Sequence, residues 1–569
     1  MNDRSKSDQE RWSGHGPGFE KLATEDEPEF SGHGLDPEGG PSEAQANADA
    51  LRNRPGRVFW LSIALVIAFV LWAALSPQSL GGSMTAASNW ASETVGGAYL
   101  IVPLGCIALL VYLAASRFGR IRLGADSDRP EFSTWAWLAM ILSAVMGVGL
   151  ISYGVAEPIS HFVTPPHGLA EGGTVEAAVR AMQFSYFDWG PHAWAVFGVF
   201  GLAIAYSTHR RGNTGLVSPM LRPVLGDRVD GWLGQVIDIF AIIATLFGTT
   251  TSLGLGASQI AEGIDRVLGI PSDTFVQILI IAVITVLFTL SALSGVNRGI
   301  KYLSQITMSL SVLLGIYVFI AGPSNFISNL FVRAVGAYTN DFAQMSLITP
   351  LTADSAQWMQ WWTYFIMAWW LSWGAFVGVF LAKISRGRTI RQFVLGVMVV
   401  PSLVFFGWFT IFGGTAIKID LDGDGAIGAA ATNDINSAFF EMLAGLPLVG
   451  ITSVVAIILV VLFFISGADA NTFVLSMMSS RGALDPAKPV LATWGILTGL
   501  CAILLLLTGG LVALQQAALL TALPFTVIVA LLGISLIIQL RKDPYFDNTR
   551  DVRREELRTG VLRVPVRRR

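Results

Sequence analysis

Five of the chain's 17 tryptophans fall between Trp361 and Phe380, in the run W-W-T-Y-F-I-M-A-W-W-L-S-W-G-A-F-V-G-V-F. An indole face attracts a cation without needing a carboxylate. Each ring contributes roughly 0.5–2 kcal/mol, which suits a quaternary ammonium group that cannot hydrogen-bond. Membrane helices usually carry tryptophan at their ends, where the ring is apolar and its N–H is wet. Trp369, Trp370 and Trp373 instead sit in the middle of an apolar run. At about 100° per residue, Trp369 and Trp373 share a helical face and Trp370 points elsewhere. A second aromatic stretch, F-D-W-G-P-H-A-W-A-V-F, carries Trp189, Trp194 and Phe197. With the later tryptophans these rings can wall one cage. The other use of such residues is packing, or an interfacial belt that would take Trp189.

Groups suited to an anion and to small cations lie elsewhere. The stretch S-A-V-M-G-V-G-L-I-S-Y-G-V-A-E-P, Ser143 to Pro158, places Gly147, Gly149 and Gly154 in one apolar segment. Glycine weakens a helix, and non-helical backbone survives at membrane depth only beside a cavity or inside protein. Such a break aims free N–H groups at a carboxylate; close helix packing is the alternative use. Thr245 and Thr249 are four residues apart in T-L-F-G-T-T-T-S-L-G-L-G. Their hydroxyls can ligate a cation or bond back to the helix's own carbonyls. Asp469, with Ser466 close by, is an acid inside an apolar segment and so a functional candidate, or else a partner for a polar neighbour. Asp238 begins its segment, where an acid needs no special role. The loop D-L-D-G-D-G-A-I-G, Asp420 to Gly428, copies half of an EF-hand, but Ala431 replaces the bidentate Glu, which argues against Ca²⁺.

These residues need a scaffold that crosses a bilayer. The 569-residue chain is 53% hydrophobic and only 14% charged, the balance of a polytopic membrane protein. Twelve apolar segments are predicted, at roughly 58–76, 94–116, 134–154, 191–208, 232–256, 274–293, 302–322, 358–382, 393–413, 449–478, 489–510 and 513–540. Loops after even-numbered segments carry 2 to 4 Lys and Arg, and those after odd-numbered ones none or 1. The bias, with Arg52, Arg54 and Arg57 before the first segment, places both termini in the cytoplasm. Residues 1–56 form an acidic tail expected to be disordered, with no cleavable signal. Residues 541–569 form a basic tail that can meet anionic lipid or simply be solvated. Between segments 7 and 8, Phe326, Ile327, Leu330 and Phe331 form the stripe of an amphipathic interfacial helix within 323–350. Cys106 and Cys501 lie in apolar runs, and no H-E-x-x-H, G-x-S-x-G or P-loop pattern occurs, so neither an enzyme nor a disulfide framework is indicated. No feature points to nucleic acid.

Taken together, A-W-W-L-S-W followed by F-V-G-V-F-L-A-K-I-S-R-G-R-T-I-R-Q-F, the T-L-F-G-T-T-T-S-L-G-L-G run and M-G-V-G-L resemble the betaine/carnitine/choline transporter family, above all its Na⁺-coupled glycine betaine carriers. The likeness spans about 55–540. It implies an all-α polytopic protein of 12 transmembrane helices in the LeuT-like arrangement. Two inverted five-helix repeats, helices 3–7 (about 134–322) and 8–12 (about 358–540), would follow two peripheral N-terminal helices.

Matched position by position, the resemblance assigns the cage to Trp189, Trp194, Phe197 and Trp370, with Trp369 alongside and Trp373 on the cytoplasmic path. Backbone at Met146, Gly147 and Gly149 would face the substrate carboxylate. One sodium site would use Ala144, Met146, Ser466 and Gly467; the other Thr245, Thr249 and the ring of Phe376. Phe197 stands where the family usually has Tyr, Ile366-Met367-Ala368 precedes the tryptophan pair in place of aromatic-Trp-x, and Gly467 replaces a hydroxyl, leaving one ligand fewer. Exchangers of the family that dispense with Na⁺ put a basic or Met side chain in its place; all 37 Lys and Arg here fall in loops and tails.

The expected function is a symporter in a bacterial cytoplasmic membrane, bringing in a zwitterionic compatible solute, glycine betaine or a relative such as ectoine, with Na⁺ and no other cofactor. Partners implied by the family are anionic lipid and two further copies in a homotrimer, with osmotic regulation. A Na⁺-independent or H⁺-coupled choline or carnitine carrier, or an osmosensor that does not transport, are the alternatives.

Overall fold

The computed structural model describes residues 55–145, 147–294, 297–483 and 485–546. No strand occurs among them, only an isolated antiparallel bridge between Arg122 and Thr389. The longer helices are α1 (Arg57–Leu75), α2 (Pro77–Val95), α3 (Ala98–Ala115), α4 (Thr134–Val145), α5 (Val148–Val163), α6 (Val175–Trp189), α7 (Pro191–Ala205), α8 (Trp232–Leu268), α9 (Thr274–Ser294), α10 (Asn297–Ala321) and α11 (Ser324–Ser346). They continue as α12 (Ala353–Ile384), α13 (Ile390–Asp422), α14 (Ala426–Asn433), α15 (Ser437–Ala444), α16 (Val449–Ser479) and α17 (Lys488–Arg541).

Eight of these helices are long and apolar enough to cross a membrane, nine if Gln305–Ala321 and Ser324–Ser346, bent by 108°, count as one span. The sequence predicts more partly because it treats 134–154 as one continuous segment. Gly147 adopts extended backbone (φ −127°, ψ −163°) and divides 134–163 into α4 and α5. Gly190 does the same between α6 and α7, just before Pro191, whose ring disfavours helix at the preceding residue. A Cβ at Gly190 would lie 2.3 Å from the Tyr186 carbonyl oxygen, so a larger residue has no room there. Conversely, 489–510 and 513–540 run together in the 54-residue α17, kinked where Gly509 and Gly510 leave helical geometry.

Burial varies widely among the long apolar helices. Within their most apolar stretches, α12 is 83% and α8 78% buried, against 28% for α1 and 22% for α9. The outer helices present Trp60, Leu65, Leu279 and Val286 on the surface. Apolar area on this scale is lipid-facing in a membrane protein. The inner pair α8 and α12 therefore forms the protein-lined centre, where polar side chains must find partners inside the protein.

The predicted amphipathic stripe is found in α11, where Ile327 and Leu330 are buried and Phe326 and Phe331 pack at its edge. The Asp420 loop holds no ion-like cluster. Both Asp420 oxygens accept backbone N–H groups, from Ile427 (2.9 Å) and Gly428 (2.7 Å), and so cap the start of α14. Asp238 likewise accepts from the Ser218 backbone (3.0 Å) and hydroxyl (2.7 Å). Residues 1–54 and 547–569, most of both tails, lie outside the described part.

The chain beyond α17 is anchored before it leaves the described region. Arg210, just after α7, grips Asp543 with two hydrogen bonds of 2.6 Å and reaches Asp126 at 2.8 Å. Tyr206 donates to the same Asp543 carboxylate at 2.7 Å. Burial raises the Asp543 carboxyl, but these donors outweigh it and hold it below the usual carboxylate range. A lowered folded-state value means stabilisation that is full above the unfolded value and lost as pH falls through the folded one. Asp543→Asn should cost about 3 kcal/mol at neutral pH. Its melting temperature in detergent should be lower than the wild type's and should lose the wild type's fall with acidification below the carboxylate range. Coincident melting curves across that range would refute the clamp.

Candidate functional site

The site grows from the break at Gly147. The first N–H groups of a helix have no partner within it, so the start of α5 is a source of free donors inside the protein. Two residues on, Gly149 touches aromatic rings directly. A Cβ there would lie 2.8 Å from the Trp189 indole and 3.1 Å from that of Trp369. Only glycine lets this backbone approach both rings so closely. Trp408 Nε1 donates to the Leu150 carbonyl (2.9 Å), and its ring fills the space beside Gly154. The three glycines of the sequence thus serve one break and two ring contacts.

Around this backbone the rings form a connected set. Trp189 meets Trp370 edge-to-face at 4.9 Å and Trp369 at 6.3 Å. Phe197 meets Trp370 at 5.6 Å and Trp194 at 5.8 Å, both nearly perpendicular. All five side chains are buried. In each such pair the positive edge of one ring faces the negative face of another. An onium group can take the place of that edge and gain the same attraction with a full charge.

Three indole N–H groups are tied to three different helices, whereas that of Trp373 is buried without a hydrogen bond. Trp370 Nε1 donates to the Asp188 carbonyl (2.8 Å), Trp189 Nε1 to Glu157 Oε2 (2.6 Å) and Trp369 Nε1 to the Gly248 carbonyl (3.2 Å). Trp370 reaches α6 while Trp369 reaches α8, as helical periodicity suggested, yet their rings stay in contact. The rings of Trp369 and Trp370 lie nearly parallel at 5.8 Å, and Trp189 reaches both. Trp373 lies 6.2 Å from Trp369 and 5.6 Å from Phe376, extending the row along α12.

The threonine pair joins this set through α8. Gly248, between Thr245 and Thr249, is pressed so flat against α12 that a Cβ would lie 2.8 Å from Trp373. The Thr249 hydroxyl donates to the Thr245 carbonyl (3.0 Å), whereas the Thr245 hydroxyl is buried with no hydrogen-bond partner. An orphaned buried oxygen near a second hydroxyl and a ring edge suits a desolvated monovalent cation. The other expected ion site is less complete. Ser466 back-bonds to the Phe463 carbonyl (3.1 Å), and a Cβ at Gly467 would meet nothing within 4 Å. Met146 and the Ala144 side chain lie outside the described residues. Asp469 accepts from Ser291 of α9 (2.7 Å) within an unbroken α16, the polar-neighbour alternative.

Several site residues escaped the sequence reading. Tyr153 packs 5.7 Å from Trp189 and 6.0 Å from Trp369, and Phe405 bridges Trp189 (6.0 Å) to Trp194 (5.6 Å). Trp362 stands 6.3 Å from Tyr153 and, with Trp358, Trp361 and Gln515, lines a cavity of about 840 Å³. Glu157, His161 and Asp188 are all fully buried beside it. Of these, Glu157 and Asp188 were detectable as acids in apolar surroundings. Tyr153 and Phe405 carried no signal, because aromatic residues in apolar helices are common.

Comparison with known proteins agrees with this geometry. Residues 57–545 match the family described as BCCT, betaine/carnitine/choline family transporter. The chain is 44% identical to the glycine betaine transporter OpuD of Bacillus subtilis, over 85% of this chain and 94% of that one. It is 40% identical to the ectoine/hydroxyectoine transporter of Virgibacillus pantothenticus, over 85% and 96%. The betaine/ectoine transporter LcoP of Corynebacterium glutamicum is 39% identical, over 88% and 80%. A helical body with lipid-facing outer helices, a glycine-broken helix against buried indoles, and a match along nearly the whole described chain make this protein a multi-pass membrane transporter, not an enzyme, and a member of the betaine/carnitine/choline transporter family.

Proposed function

We propose that the chain is a Na⁺-driven symporter that imports a compact zwitterionic solute of the glycine betaine and ectoine class across a bacterial cytoplasmic membrane. The observation that carries the reading is Gly149, held between Trp189 and Trp369 at the start of α5. It puts free N–H donors beside buried indoles, one end suited to a carboxylate and the other to an onium head. A solute with both charges uses both ends. Choline, which has no carboxylate, would use only the rings.

In this reading the twelve apolar segments are twelve crossings, with α4–α5 one interrupted span and α17 two, arranged as two inverted repeats after two outer helices. Both termini lie in the cytoplasm, as the Lys and Arg bias implies. The cage is Trp189, Trp194, Phe197 and Trp370, flanked by Trp369 and Trp373. Na⁺ is held by Thr245, Thr249 and the edge of Phe376, and a second ion by backbone near Ala144 and Met146 with Ser466. Trp369 links ion to solute, because its N–H is fixed on the Gly248 carbonyl between the two threonines. Binding of both ligands would let the bundle containing α4, α5, α7, α12 and the first part of α13 rock against the remaining helices. Homotrimeric assembly, contact of the basic tail with anionic lipid and osmotic activation belong to the same reading.

Uptake by proteoliposomes tests it. Radiolabelled betaine and ectoine should accumulate only with an inward Na⁺ gradient, and choline should not compete. Accumulation driven equally by a proton gradient without Na⁺ would replace this reading with the H⁺-coupled one. Solute binding with no counterflow would replace it with a sensor. Trp370→Leu removes one cage ring and should raise the half-saturation constant about 5–30-fold; unchanged kinetics would count against the cage. Thr245→Ala should raise the Na⁺ concentration for half-maximal uptake about tenfold, with solute dependence unchanged at saturating Na⁺. Gly149→Ala forces the Trp189 ring to move and should cut uptake more than about tenfold at normal membrane expression. Wild-type uptake in that variant would show that the close approach is dispensable.

A further inference from the structure

Behind the cage lies a cluster that solute binding leaves unused. Glu157 and His161 are one turn apart on the same face of α5, and Asp188 reaches them from the last turn of α6. All three side chains are fully buried. One oxygen or nitrogen from each lies within 4.8 Å of the others.

Glu157 Oε2 is taken by the Trp189 N–H, but its Oε1 makes no hydrogen bond. Neither ring nitrogen of His161 and neither carboxylate oxygen of Asp188 makes a well-aligned one. His161 Nε2 stands 3.6 Å from Glu157 Oε1, too far for a hydrogen bond. The Thr363 hydroxyl is a donor turned toward Asp188, though not well aligned, and Glu157 and Asp188 lie close enough to share a proton. The nearest arginine on α6, Arg180, pairs with Glu176 and Asp341 instead. Among the described ion pairs, none brings Lys or Arg to Glu157 or Asp188.

Two carboxylates in a dry interior cost several kcal/mol each unless protons or a cation neutralise them. A proton shared between them would neutralise one charge and leave the imidazole orphaned. A doubly charged ion would neutralise both carboxylates and use an atom from each of the three side chains at once. We propose that Glu157, His161 and Asp188 bind one divalent cation of the class that takes mixed imidazole and carboxylate ligands, such as Zn²⁺ or Mn²⁺. Trp358 and Trp362, which pack 5.1 and 4.7 Å from the His161 ring and line the 840 Å³ cavity, separate the cluster from that cavity, so an ion entering from there must displace them.

The ion would staple α5 to α6 and fix Glu157, which in turn holds the Trp189 indole. Its binding is therefore coupled to solute affinity. That coupling rests on the proposed function; the site itself does not.

The test is metal binding by the full-length protein in detergent, stripped with chelator and without solute. Zn²⁺ titration followed by elemental analysis should find one ion per chain, and saturating Zn²⁺ should raise the melting temperature. His161→Gln and Asp188→Asn should each lose the bound ion and that rise, while Asp341→Asn keeps both. Because either variant could fold poorly, pulsed EPR of the Mn²⁺-loaded wild type gives an independent answer and should show a nitrogen ligand. No stoichiometric ion, retention in both variants, or a Mn²⁺ signal without nitrogen would overturn the site. So would an infrared band of a protonated carboxylic acid that persists under saturating Zn²⁺ and vanishes in Asp188→Asn, since the neutralising cation would then be a proton. Loss of solute uptake with metal binding intact would refute the transport reading and leave this one standing.

Discussion

The structure turns on one close approach, that of the Gly149 backbone to the indoles of Trp189 and Trp369. A helix can bring its backbone this near to two rings only where it carries no Cβ. It can offer free N–H groups there only because Gly147 has interrupted it two residues earlier. The two glycines have different tasks, one conformational and one steric. Together they place a donor-rich helix start against the faces of buried rings.

A break at membrane depth is tolerated because protein surrounds it. α8 and α12 are the most enclosed of the eight long apolar helices, α7 is buried along all but its first residue, and the break faces rings carried by α12 and by the end of α6. The same enclosure explains how the indole N–H groups are satisfied. Trp370 and Trp369 donate to carbonyls of α6 and α8, and Trp189 to a carboxylate of α5. In lipid these donors would be orphaned at a cost of several kcal/mol each. The hydrogen bonds therefore hold the rings in position and tie α12 to α6 and α8, and α6 to α5.

Gly248 joins the aromatic row of α12 to the threonine pair of α8, the solute and ion regions of the proposed function. Its carbonyl accepts from Trp369, its missing Cβ lets Trp373 approach, and its neighbours on the α8 face are Thr245 and Thr249. An ion that tightens this turn of α8 shifts the partner of a cage indole directly. On the other side, Glu157 plays the corresponding part for Trp189. The cage is thus supported from two directions by polar groups, each able to respond to a cation.

The amino-acid sequence determined the class of protein, the helical segments, the aromatic stretches and the weak point at Gly147, because each leaves a local mark: apolar length, glycine in an apolar run, tryptophan away from a helix end. It also singled out Trp189, Phe197, Trp369 and Trp370, which the fold brings together. Tertiary structure decided what these residues touch. It showed which helices Trp369 and Trp370 reach, divided at Gly147 a segment that read as continuous, and added Tyr153, Phe405 and Trp362. It also brought Glu157, His161 and Asp188 to one point from two helices. The physical reason is range. Periodicity and composition are properties of neighbouring residues, whereas a ring contact or a shared ion depends on how separate helices pack.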